Sequence, residues 1–188
     1  MAPTAVSTKL NGIEVDQLFQ TIEAIKQTSQ LADFRFRLQN KWIDGGLNRS
    51  TIKNFYGTRK EHQHQEPFIL DADEPVILLG EETSANPVEY LLHALTACVT
   101  SALVYHAAAK GIRLEEVESR VEGDIDLRGF LGLDANVRRG YKNIKMKFRI
   151  KANVPDEQLE ELCQLGPTFS PVFDSVTRGV PVEVSLEK

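Results

Sequence analysis

YLLHALTACVTSALVYHAAA, residues 90–109, is the stretch on which the fold turns. It holds twenty residues with no acidic or basic side chain except His93 and His106, enough in length to span a bilayer. Its make-up argues otherwise. Six of the twenty are alanines, and His93, Thr96, Thr100, Ser101 and His106 would need polar partners in lipid that a lone helix does not offer. A helix that is apolar nearly all round is expected instead to be the central helix of a soluble protein, buried beneath a sheet or a second subunit. Asn86 and Pro87 stand where such a helix would open.

The segments downstream supply a sheet. In EVESRVEGDIDLRG, Val117, Val121, Ile125 and Leu127 fall on one face, and Glu118, Arg120, Glu122, Asp124 and Asp126 on the other. KNIKMKFRIKA repeats the pattern, with Ile144, Met146, Phe148 and Ile150 set against Lys145, Lys147, Arg149 and Lys151. Antiparallel pairing would place a mainly acidic face opposite a basic one, each pair stabilising by roughly 0.2–1 kcal/mol. RGFLGLDANVRRG between them is too long for a tight turn, and Phe130 and Leu131 mark a loop that packs on something. PDEQLEELCQL then reads as a helix with acids in its first turn, ended by Gly166 and Pro167. Ser170 caps the next helix, with Pro171 at its first position, and VPVEVSLE reads as a closing strand.

Upstream, Val15, Leu18, Ile22 and Ile25 predict an amphipathic helix over 14–28. FRFRLQ alternates as a half-buried strand, and Asp44, Gly45 and Gly46 carry turn chemistry. EPFILD and PVILLG on either side of Asp73 resemble short strands. Strands with interspersed helices and no regular βαβ alternation predict an α+β fold.

Composition bounds the function. The chain has 188 residues, 41% hydrophobic and 26% charged, which suits one domain. A net charge of −5 gives no basic field for a phosphate backbone, so no nucleic acid partner is expected. Cys98 and Cys163 cannot make a disulfide framework and suit a reducing compartment. MAPTAVSTKL lacks a charged start followed by an apolar run, so the expectation is a cytoplasmic protein without a signal peptide or a membrane partner. His62 with His64, and His93 with His106, lack a further ligand at defined spacing; the second pair lies roughly 20 Å apart along a helix. No metal or cofactor is expected. Leu91, Ala94, Leu95, Ala102 and Tyr105 share the helix face of Cys98, which fits an inert buried thiol as well as a reactive one. Cys163, near the end of its helix, is placed where the dipole disfavours a thiolate.

LLGEETSANPVEYLLHALTACVTSALVYHAAAKGI resembles the central helix of the OsmC/Ohr family, with its N-P-x-E opening and an A-x-x-A-C-like core. The family's later Cys-Pro-Val-Ser signature is matched by Ser170-Pro171-Val172-Phe173, and the resemblance runs from Glu66 to Lys188. It implies an antiparallel sheet wrapped around long central helices in an intertwined homodimer. One domain over 1–188 is expected, with a family core over 31–188 and an extra helix in the N-terminal extension 1–30.

The resemblance further implies a thiol peroxidase for organic hydroperoxides, with Cys98 as the attacking thiol and Glu89 as its catalytic carboxylate. The chain departs from the pattern in three ways. Ser170 stands at the resolving cysteine's position; Val88 directly follows the proline, with Glu89 one position later and about 180° from Cys98 around the helix; and the activating arginine has two candidates, Arg49 and Arg59. Cys163 follows Cys98 by 65 residues, but the Pro-Val motif anchors the family's second position at Ser170. Two readings follow from the resemblance: a hydroperoxide reductase in which an external thiol, such as a dithiol reductant, resolves oxidised Cys98, or a non-catalytic dimer that holds a small lipophilic ligand in its groove.

Overall fold

A computed structural model describes residues 9–187. The chain forms two compact units, residues 16–91 and residues 9–15 with 92–187. The first unit carries helix α1 (Val15–Gln27) and an antiparallel sheet of β3 (Arg35–Phe36), β4 (Gln39–Asp44), β5 (Leu47–Gly57) and β6 (Lys60–Ala72). Strand β5 is central, paired with β6 along one edge and with β3 and β4 in succession along the other. The predicted amphipathic helix is present, with Val15, Leu18, Ile22 and Ile25 as its half-buried stripe. The turn expected at Asp44–Gly46 joins β4 to β5; Gly45 adopts φ 49° and its N–H donates to Asp44 Oδ1 at 3.0 Å.

Two expectations in this unit are corrected. FRFRLQ is not one half-buried strand. It is interrupted between β3 and β4, and Phe36 and Leu38 are exposed, with Phe34, Phe36 and Phe55 stacked on one another. PVILLG is not a strand. Val76–Leu78 is a single 3-10 turn followed by Leu79 at φ 66°, because the Asp73 carboxylate gathers the loop onto itself.

The second unit opens with the short β1 (Lys9–Leu10) and β2 (Ile13–Glu14), which pair with each other. It holds most of helix α2 (Pro87–Ala109), then β7 (Leu114–Asp124), the short α3 (Leu127–Phe130), β8 (Asn143–Ala152), α4 (Asp156–Phe169) and α5 (Pro171–Arg178). β7 and β8 pair antiparallel as the alternation predicts, with Val121 opposite Met146 and Val117 opposite Ile150. On the outer face Glu118 opposes Arg149, Glu122 opposes Lys145 and Glu116 opposes Lys151, while Arg120 meets Lys147 as a like-charge pair. The ladder ends at Asp124, so Ile125 and Leu127 lie outside it. The mixed helix and strand content bears out the α+β class.

Helix α2 buries Leu95, Val99, Leu103 and Ala107, spaced four apart on one stripe, against the rest of the chain. On the opposite side His93, Ala97, Ser101 and Tyr105 form a stripe that this chain leaves exposed. Among the described residues α2 is the one helix long and apolar enough to cross a membrane.

Gly166 and Pro167 do not end α4, which runs on to Phe169. Gly166 serves close approach instead: a Cβ there would sit 2.8 Å from Val99 Cγ1 and 2.9 Å from the Val99 carbonyl oxygen. The closing strand expected over VPVEVSLE is also corrected. Residues 180–187 form no strand, and Val180, Val182, Val184 and Leu186 are exposed, since a β pattern becomes a strand only where another edge offers its N–H and C=O groups.

Candidate active site

Glu89 and Cys98 lie on α2 and Ser170 at the start of α5, and side chains build the start of both helices. Asn86 is the N-cap of α2: its Oδ1 accepts from Val88 N at 2.9 Å, and Glu89 Oε2 accepts from Asn86 N at 2.9 Å. This reciprocal pair is a capping box. With Pro87 at N1, Glu89 occupies N3, from which a carboxylate reaches back to the cap. Glu89 is exposed and its acceptor atom is engaged at the helix start, whereas Cys98 lies nine residues further along the same helix.

The loop that delivers the chain to α2 is held by a carboxylate the sequence reading passed over. Asp73 is buried at 1% exposure and accepts from Glu74 N at 2.8 Å, Thr83 N at 3.1 Å, Thr83 Oγ1 at 3.0 Å and Glu81 N at 3.2 Å. Those donors, the Thr83 N–H foremost, outweigh burial and hold its carboxyl below the usual carboxylate range. Glu74 in turn accepts from Asn86 Nδ2. The sequence showed only strand-like stretches on either side of Asp73. The contacts that define it span up to ten residues and have no periodicity.

Of the two arginine candidates, Arg49 makes a bidentate ion pair with Asp71, 2.7 Å from Nε to Oδ1 and 2.8 Å from Nη2 to Oδ2. That hydrogen bonding raises the Arg49 pKa and lowers that of Asp71. The Asp71 carbonyl accepts from the Tyr90 hydroxyl at 2.7 Å, tying β6 to the first turn of α2. Arg59 sits at the tip of the β5–β6 hairpin at φ 64°.

Cys98 is half-buried and free, one residue before buried Val99 on α2. Cys163 is also free and half-buried on α4, and burial pushes its thiol pKa up. Ser170 is 1% exposed at the α4–α5 junction, where its Oγ accepts from Phe173 N at 3.1 Å as the N-cap of α5. His106 stacks on Phe169 with ring centroids 4.0 Å apart, and burial, then the charge of Lys110, lowers its pKa. The imidazole is thus a packing group between α2 and α4. His62 lies flat on Phe55 at 4.8 Å, with Nε2 3.1 Å from both the Gly57 carbonyl oxygen and Thr58 Oγ1. Among the described residues no three His, Cys, Asp or Glu side chains group as metal ligands.

The sequence model of the family described as OsmC-like protein matches residues 80–185, a span that contains Glu89, Cys98 and Ser170 and leaves α1 outside it. Among solved structures, an OsmC-like protein from Mycoplasma pneumoniae superposes with a TM-score of 0.56 at 16% identity, covering 78% of this chain and 89% of its own. An organic hydroperoxide resistance protein OsmC from Legionella pneumophila gives 0.53 at 19% identity, covering 76% and 90%. An OsmC-like protein of unknown function from Vibrio cholerae gives 0.55 at 12%, covering 76% and 94%. No curated protein sequence matches the chain. At these identities the structural likenesses speak for the fold alone.

Proposed function

The chain belongs to the OsmC-like protein family, and from that membership we propose that it reduces organic hydroperoxides through the Cys98 thiol, with an external thiol as the resolving partner. The observation that carries this reading is the state of Cys98, free and half-exposed on the family's helix. The fold shared with the Legionella pneumophila hydroperoxide resistance protein agrees with it.

In the first step the Cys98 thiolate attacks the outer peroxide oxygen, the O–O bond breaks, and the alkoxide leaves and takes up a proton to become an alcohol. Cys98 is left as sulfenic acid, oxidised by the two electrons that the peroxide gains. An external thiol then condenses with the sulfenic acid to a mixed disulfide and water, and a second thiol releases Cys98 and departs as the oxidised disulfide. The external thiol is needed because Ser170 has no sulfur to offer, and burial pushes the Cys163 thiol pKa up, which disfavours its thiolate. Glu89 enters this scheme as a capping residue that positions the helix carrying Cys98. The exposed α2 stripe of His93, Ala97, Ser101 and Tyr105 supports a homodimer in which a second copy covers it.

The serine at position 170 favours a second reading, a dimer that binds a small lipophilic ligand without turnover. Intact-mass analysis after brief exposure to cumene hydroperoxide, with and without a thiol-trapping reagent, separates the two. The peroxidase reading expects one added oxygen, or its trapped adduct, in the wild type and not in Cys98→Ser. A wild-type mass that stays unmodified sinks it.

A further inference from the structure

The loop between β7 and β8 is built as a display. Phe130, Leu131 and Leu133 are exposed at 67%, 57% and 71%, three large apolar side chains within four residues. The backbone beneath them is closed. Leu131 N donates to the Leu127 carbonyl at 2.8 Å, Leu133 N to Arg128 at 2.9 Å, and Val137 N to Asp134 at 3.1 Å. Gly129 is buried so tightly that a Cβ there would meet the Arg138 carbonyl oxygen at 2.5 Å. Asp126 locks the base, pairing with Arg128 Nη2 at 2.7 Å and Lys142 Nζ at 3.0 Å. These side chains therefore cannot collapse inward without breaking the loop's own hydrogen bonds.

The charge around this apolar tip runs against that of the whole chain. Between 125 and 142 the sequence carries Arg128, Arg138, Arg139 and Lys142 against Asp126 and Asp134, on a protein of net charge −5. Arg138 and Arg139 are exposed and, among the described residues, in no ion pair. The loop before α2 makes the contrast. It exposes Val76, Ile77 and Leu79 just as fully, yet between 74 and 83 its only charged residues are Glu74, Glu81 and Glu82.

We propose that the β7–β8 loop docks on an anionic phospholipid surface, inserting Phe130, Leu131 and Leu133 at the headgroup boundary while Arg138 and Arg139 meet the lipid phosphates. Apolar side chains flanked in sequence by arginines are the make-up of an interfacial anchor. A protein partner would need on the order of 800 Å² from this side, more than three side chains present. The contact is peripheral and separate from the question of whether α2 could span a bilayer. It does not depend on Cys98 chemistry, so either proposal can fail alone.

The test is co-sedimentation of the full chain with vesicles of phosphatidylcholine alone or with added phosphatidylglycerol, at low and physiological salt. The wild type is expected to partition onto the anionic vesicles only, and less as salt rises. Replacing Arg138 and Arg139 together by alanine should lower that partition about 30-fold. Leu131→Ser with Leu133→Ser should abolish it with an unchanged thermal melt. Ile77→Ser with Leu79→Ser, on the acidic loop, should leave it intact. Equal partition onto both kinds of vesicle, no partition, or a change of native mass in the Leu131/Leu133 variant would overturn the proposal, the last by assigning the loop to contact with a second copy.

Discussion

Helices α2 and α5 begin in different ways. At α2 two side chains share the work: Asn86 satisfies the Val88 N–H, Glu89 satisfies that of Asn86, and Glu74 fixes the Asn86 amide from outside. At α5 one hydroxyl suffices, Ser170 Oγ on the Phe173 N–H, but it works in a buried site that water does not reach. An exposed capping network can be replaced in part by solvent, whereas a buried single cap cannot. The difference bears on function, because both helix starts are positions where the family resemblance places chemistry. In this chain each carries a side chain whose oxygen already serves the backbone.

The sharpest way to break the comparison is to remove the buried cap. Ser170→Ala is expected to cost about 1–2 kcal/mol in urea unfolding, at the upper part of the range for N-caps, because the Phe173 N–H loses its acceptor inside the protein. A loss as small as at an exposed surface site would show that Ser170 is not a cap of consequence. Asn86→Ala comes next, at about 1 kcal/mol, with water taking over part of the role; thermal denaturation at neutral pH reads it out.

Glu89 provides the finest division. Glu89→Gln keeps an oxygen at N3, so stability should move by no more than about 0.3 kcal/mol, and hydroperoxide turnover should stay near that of the wild type. Glu89→Ala should cost about 0.5 kcal/mol. Turnover that collapses in Glu89→Gln while the melt is unchanged would give the carboxylate a chemical role beyond capping.

Much of this was legible in residue order, and the reasons differ from place to place. The β7–β8 hairpin announced itself because its apolar and charged residues alternate along both strands, and opposite charges meet across the ladder at Glu118–Arg149 and Glu122–Lys145. The β5–β6 hairpin did not, since Thr58 and Arg59 turn it at φ 47° and 64° in place of the Asn-Gly pair that marks such turns. Gly166 and Pro167 read as a stop signal, yet the helix continues because the glycine answers to Val99 on another helix. Glu89 was legible as a charge near a helix start. Its partner became clear only from the observed hydrogen bond.

Residue order by itself determined what depends on neighbours a few positions away: the amphipathic α1, the apolar α2, the Ser170 cap with Pro171 behind it, and the paired signatures that carry the family resemblance. Tertiary structure decided what depends on partners brought from a distance. It buried Asp73 beneath four donors, left one stripe of α2 and the whole of 180–187 uncovered, and fixed Phe130, Leu131 and Leu133 facing outward. The physical reason is range. Helical and strand periods repeat within a few residues and are written in the chain, whereas hydrogen-bond satisfaction and burial are set by whichever groups the fold carries into contact.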